Sequence, residues 1–156
     1  MYNEFPKHTH DTAPEKSNPL LKQLLEQSGP NGFYSVTAES PETLAAYAML
    51  HKAFMASSFT NEEKTVVWQS INVENESHLC VPAHTYMAKN MKIDKSVSDA
   101  LRDETALPTA RLEALRDFTL LMLRNDGNAS DAEILKFLSA GYTHQNMLEV
   151  VLGLAQ

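Results

Sequence analysis

Helix-start signals recur along this 156-residue chain and leave little room for sheet. Ser40-Pro41-Glu42 places a capping hydroxyl before a proline at the first helical position. Thr60-Asn-Glu-Glu63 and Ser130-Asp-Ala-Glu133 are capping boxes, in which the hydroxyl and the carboxylate each satisfy a free backbone N–H. Thr143 caps the last apolar run, and Pro108 starts another that carries Leu112, Leu115, Phe118, Leu121 and Met122 inward and stops at Asn125-Asp126-Gly127. Asn18-Pro19 opens a short amphipathic helix with Leu20, Leu21, Leu24 and Leu25 on one side, ended by Gly29-Pro30. Ser96-Val-Ser-Asp99 starts another short one, and Gly141 closes the helix begun at Ser130. Thr65-Val66-Val67-Trp68-Gln69-Ser70-Ile71 holds four β-branched residues and would also fit a strand. The capping box ahead of it favours helix. The expectation is an all-α protein of about seven or eight helices, with an N-terminal arm over 1–32 that carries one short helix and a helical domain over 33–156.

The arm begins with the polar, proline-broken stretch Met1 to Ser17, read as a tail. His8 and His10 lie two apart in it, but no further ligand type stands nearby, so a solvated tail is favoured over a metal site. The apolar fraction of 43% and net charge of −7 fit a soluble globular protein and give no basic stripe for nucleic acid or anionic membrane. No run approaches membrane-spanning length, and a single cysteine excludes an internal disulfide framework, so a reducing, cytoplasmic setting is expected. Apolar Met147, Leu148, Val150, Val151, Leu152 and Leu154 run to the last residues without a stop signal. Cover by a neighbouring subunit, or a chain shorter than its relatives, would account for that.

The chemistry concentrates in Glu74-Asn75-Glu76-Ser77-His78-Leu79-Cys80-Val81-Pro82-Ala83-His84. Cys80 precedes His84 by four residues, which on a helix stacks both side chains on one face with Cβ atoms about 5–6 Å apart. Pro82 is tolerated only in a first turn, so the helix starts close to it and Cys80 sits near its N-terminal end. Free backbone donors there favour thiolate over thiol. A buried, inert cysteine and a partly exposed helical histidine are the plain alternative. Cys80, His78 and His84 are metal-ligand types, but three within seven residues straddling a helix start are poorly placed for a tetrahedron. His51 and His144 read as partly buried helical residues, and Trp68 as packing.

Placed on these helices, the stretch from Phe33 to Gln156 resembles the AhpD-like / carboxymuconolactone decarboxylase superfamily, in its peroxidase-related subgroup. The residues that carry the resemblance are Phe59-Thr60-Asn61-Glu62-Glu63-Lys64 through Cys80-Val-Pro-Ala-His84-Thr85, then Pro108-Thr-Ala-Arg111-Leu112-Glu-Ala-Leu115, and Phe137-Leu-Ser-Ala-Gly141-Tyr-Thr with Leu148-Glu149-Val-Val-Leu-Gly153. The resemblance implies an all-helical fold that forms dimers, trimers or hexamers and uses no cofactor. It implies Cys-x-x-Cys-x-x-x-His with an upstream glutamate: the second cysteine attacks peroxide or disulfide, the first resolves it, and histidine and glutamate relay protons. Cys80 matches the attacking thiol and His84 the relay. The resolving position holds Ser77, and the usual glutamate position holds Thr65. Glu74 is then the acid placed to relay, ahead of Glu76.

The function implied is peroxide or disulfide chemistry at Cys80, with His84, Glu74 and Ser77 in the site and an external thiol as reductant. Two alternatives stand beside it. One is a non-redox binding or assembly module on the same fold. The other is acid–base chemistry on a small carboxylate or lactone by His84 and Glu74, as in carboxymuconolactone decarboxylases, which resemble the scaffold without keeping that cysteine.

Overall fold

The computed structural model describes residues 5–156, so the first four residues of the expected arm lie outside it. Among the described residues there are nine helices and no strand, which bears out the all-α expectation. They are α1 (Asn18–Ser28), α2 (Gly32–Thr37), α3 (Pro41–Met55), α4 (Asn61–Glu74), α5 (Cys80–Asn90), α6 (Lys95–Arg102), α7 (Ala110–Arg124), α8 (Asp131–Ser139) and α9 (His144–Leu154). Helix α2 has no counterpart among the start signals above. It is six residues long, and its cap is Asn31, whose side-chain oxygen accepts from the N–H groups of Phe33 and Tyr34.

The chain falls into two compact units, Met1–Lys52 and Ala53–Gln156, and the division lies inside α3. In the first unit Leu21 of α1, Ala38 and Leu44 of α3 share one small core, and this places the start of α3 with the helices before it. Residues 5–17 ahead of α1 are largely exposed but are tethered to this unit at two points. Ser17 is buried and donates to the Ala38 carbonyl, and the His8 ring meets the Glu39 carboxylate at 2.6 Å. His10 instead lies beside Asp11, so the two histidines do not converge.

The second unit is built around α4, which packs against α5, α6, α7 and α9. Every residue from Glu63 to Ser70 is buried. A helix surrounded on all sides needs no polar face, and this explains why Thr65-Val66-Val67-Trp68 looked compatible with a strand. Its capping box forms as expected: Glu63 N–H donates to the Thr60 hydroxyl, and Thr60 N–H to the Glu63 carboxylate. The boxes at Ser130 and Thr143 form too, the latter with Asn146 as the returning side chain. Beneath α7, Phe118, Phe137 and Tyr142 stack in series, with ring centroids 4.2 and 4.6 Å apart.

Gly153 lets α9 approach this core closely. A Cβ there would lie 2.8 Å from Val67 Cγ1 and 2.9 Å from Phe54 Cε2, and both neighbours are fully buried. Gly153→Ala gains about 1 kcal/mol of helix propensity. It meets an overpacking cost of about 1–3 kcal/mol, because neither neighbour has space to retreat into. A net loss of stability is expected, seen as a lower midpoint in chemical denaturation; an unchanged or raised midpoint would contradict this packing.

Candidate functional site

The turn between α4 and α5 is shaped by Glu76, whose φ of 49° is left-handed, and by the Ser77 N–H donating to the Asn72 carbonyl at 3.0 Å. The chain then enters α5 at Cys80, so the cysteine is the first helical residue, two ahead of Pro82. Ser77 closes this end: its Oγ accepts the Cys80 backbone N–H at 3.1 Å. The serine that the resemblance puts at the resolving position thus ties the preceding turn to the residue that carries the thiol, while the N-cap position itself, Leu79, makes no side-chain bond. Cys80 is free and half-buried.

His84 lies one turn along α5, also half-buried, with its ring edge-to-face against Trp68 at 5.0 Å between centroids. Trp68 is buried and donates from Nε1 to the Gln156 side chain at 3.1 Å. Gln69 fixes the facing of α5 on α4. Fully buried, it donates from Nε2 to the Val81 carbonyl at 3.1 Å and to Thr85 Oγ1 at 3.0 Å. The motif reading did not single out Gln69. The available signal was a polar side chain between Trp68 and Ser70 on a helix otherwise rich in apolar residues.

Glu74 is committed elsewhere. Both of its oxygens are taken by Arg124 of α7, Nε to Oε1 and Nη2 to Oε2, each at 2.6 Å. This fork-to-fork pair holds the Glu74 carboxyl below the usual carboxylate range. The pairing commits Glu74 to α7. Glu76 is exposed. Thr65, at the usual relay position, is buried and returns its hydroxyl to the Asn61 carbonyl of its own helix at 2.9 Å. Cys80, Ser77 and His84 therefore share one end of α5, while Glu74 ties the end of α4 to the end of α7. No group of three or more His, Cys, Asp or Glu among the described residues is placed to hold a metal.

A second carboxylate sits at the opposite end of α4. Glu63 receives the Arg111 guanidinium, Nη2 at 3.0 Å and Nε at 3.2 Å. Arg111 also lies over the Tyr142 ring, 4.0 Å from its centroid, and donates to the Gly141 carbonyl. Burial pushes the Glu63 carboxyl up, but the Thr60 N–H, the Arg111 guanidinium and the Thr60 hydroxyl together hold it below its ordinary value. The same burial, with Glu63 beside it, pushes the Tyr142 phenol upward. A carboxyl lowered on folding stabilises the fold above its unfolded pKa, about 4.3. That contribution is lost as pH falls through the folded value. Glu63→Gln is accordingly expected to flatten the acid limb of stability below about pH 4.3, measured by denaturation at several pH values. An acid limb unchanged by the substitution would mean that Glu63 titrates alike in both states.

No protein-family model matches this sequence, and no curated protein does. Solved structures do match. One is the alkylhydroperoxidase AhpD core of an uncharacterised peroxidase-related protein from Ralstonia eutropha JMP134, with 18% identity and a TM-score of 0.84, over 97% of this chain and 82% of that one. Another is an uncharacterised peroxidase-related protein from Silicibacter sp. TM1040, with 17% identity and a TM-score of 0.82, over 98% and 82%. The likeness takes in nearly the whole chain, the stretch before Phe33 included. Among the described residues no helix is long and apolar enough to cross a membrane. The all-helical architecture around α4 is thus the AhpD-like fold of the peroxidase-related proteins.

Proposed function

We propose that this protein is a one-cysteine thiol peroxidase acting through Cys80. The observation that supports it is the placing of the thiol as the first residue of α5, with His84 one turn on and Ser77 holding the helix end. The N–H groups of this first turn are themselves bonded, Cys80 to Ser77 Oγ, Val81 to the Ser77 carbonyl and Ala83 to the Leu79 carbonyl, so what favours an anion here is the positive end of the helix dipole. The Cys80 thiolate attacks the terminal oxygen of a hydroperoxide, the O–O bond breaks, and the sulfur becomes a sulfenic acid. His84 supplies a proton to the departing alkoxide or hydroxide, which leaves as alcohol or water. One external thiol then condenses with the sulfenic acid, releasing water and forming a mixed disulfide. A second external thiol displaces Cys80 as thiol and leaves as the symmetric disulfide. The Ser77 hydroxyl cannot take the place of the first of these thiols by condensing with the sulfenic acid, so two external thiols supply the two electrons.

Glu74 serves this reading as a clamp rather than a relay, because its oxygens are both engaged by Arg124. The test is to treat the protein with one equivalent of hydrogen peroxide or an alkyl hydroperoxide in the presence of dimedone, then to weigh it intact and map the adduct. A sulfenic-acid adduct on Cys80 is expected, forming about 10²-fold more slowly in His84→Gln if the imidazole delivers the proton. No adduct from either peroxide would rule the proposal out. An adduct forming at the same rate in the variant would remove His84 from the chemistry.

A further inference from the structure

Helix α5 leaves an apolar ridge in solvent. Leu79 and Tyr86 are 63% and 66% exposed, and Pro82 and Ala83 between them are exposed too. Spacings of three and four residues set these side chains on one side of the helix. The winding reaches back beyond Cys80, since the Val81 and Ala83 N–H groups donate to the Ser77 and Leu79 carbonyls. Glu76 therefore stands at the corner just ahead of the first turn, and Lys89 stands in the last turn. Both are exposed, and neither has an ion-pair partner among the described residues. Leu79 and Tyr86 lie equally far on either side of the step from Pro82 to Ala83, and so do Glu76 and Lys89. An acid closes one end of the ridge and a base closes the other.

We infer that this ridge is a contact between two copies of this chain, which pair α5 against α5 in antiparallel register about the step from Pro82 to Ala83. A twofold contact uses one surface twice, so that surface must be complementary to itself. This ridge meets that condition. Turned end for end, Leu79 of each copy faces Tyr86 of the other, and Glu76 of each faces Lys89 of the other. The small side chain of Ala83 at the centre lets the two helices approach to about 8–10 Å between axes. Their dipoles also run in opposite senses, which favours the pairing. A partner of another kind would have no use for an acid and a base at matched distances from the apolar centre. The 11 residues of α5 rise only about 16 Å, so the contact is small and the dimer weak, in the micromolar range. Cys80 lies about 100° round the helix from Leu79, on the flank of the ridge. The pairing therefore does not rest on peroxide chemistry.

Sedimentation equilibrium of the full-length protein, from about 1 to about 200 μM at low salt, is expected to show monomer passing to dimer. Glu76→Lys and Lys89→Glu each place like charges together at both ends of the contact, and each should weaken it about tenfold. An equal mixture of these two variants brings opposite charges together at both ends, so it should dimerise as the parent does. Tyr86→Ser removes an exposed ring and should leave only monomer, with the circular dichroism spectrum unchanged. A parent that stays monomeric at about 200 μM would overturn the inference. So would an assembly that Tyr86→Ser and both charge variants leave intact, or a mixture that associates no better than either variant alone.

Discussion

Cys80→Ser is expected to reduce thiol-dependent peroxide consumption to that of buffer with thiol alone. The substitution exchanges one atom at a half-buried position, and the bond to Ser77 uses the Cys80 backbone N–H, which the variant keeps. Stability should therefore stay within about 0.5 kcal/mol of the parent, and a loss of activity is then chemical rather than structural. Peroxide loss in the presence of a monothiol is the direct measurement, run on parent and variant at equal concentration. Consumption that persists in Cys80→Ser would show that the thiol is not the reacting group. A parent protein that consumes no peroxide with any thiol would instead favour the non-redox alternative, a binding module on this fold.

Phe137→Ala should cost about 3–5 kcal/mol of stability. Phe137 is 1% exposed and lies between two rings, with Phe118 on one side and Tyr142 on the other. Removing it takes out two stacked contacts and opens a cavity between α7, α8 and the turn at Gly141. Domains of this size hold about 5–15 kcal/mol in all, so the loss would be a large fraction of the total. The Tyr142 ring also carries Arg111 on its surface, and Arg111 neutralises Glu63, so the effect should extend to the polar network at that end of α4. Leu135→Ala on the same helix is the control: Leu135 is 61% exposed and should change stability by no more than about 0.5 kcal/mol. Equal midpoints for the two variants in urea would mean that the stack contributes no more than a surface leucine.

Local signals account for most of the helix boundaries. A hydroxyl with an acid three residues later names its own partners, so Thr60 and Ser130 were readable as caps and the structure forms both boxes. Cys80 at the head of α5 was readable for the same kind of reason, since Pro82 allows few other starts. Helix α2 was not, because its cap is an asparagine in a glycine-proline stretch that also reads as a stop. Helix α7 begins two residues later than the proline suggested, with Thr109 as its cap. What sequence could not supply is pairing at a distance. Glu74 and Arg124 are fifty residues apart, and nothing near Glu74 announces that a guanidinium will occupy both its oxygens. The pairing of Glu63 with Arg111, forty-eight residues on, was hidden in the same way behind a capping box that explained the glutamate locally.

The bond from the Cys80 N–H to Ser77 carries one more consequence. A serine oxygen accepts a backbone N–H well and a sulfur accepts it poorly, so at this position a firm turn into α5 and an internal resolving thiol compete for the same atom. Ser77→Cys should restore the chance of an internal disulfide with Cys80 while weakening that bond, worth about 1 kcal/mol. With oxygen there, an oxidised Cys80 has no route home within its own chain. Under the proposed peroxidase reading its recovery rate would be set by how much free thiol surrounds the protein, and the fraction found oxidised would report the balance between peroxide and thiol in its surroundings.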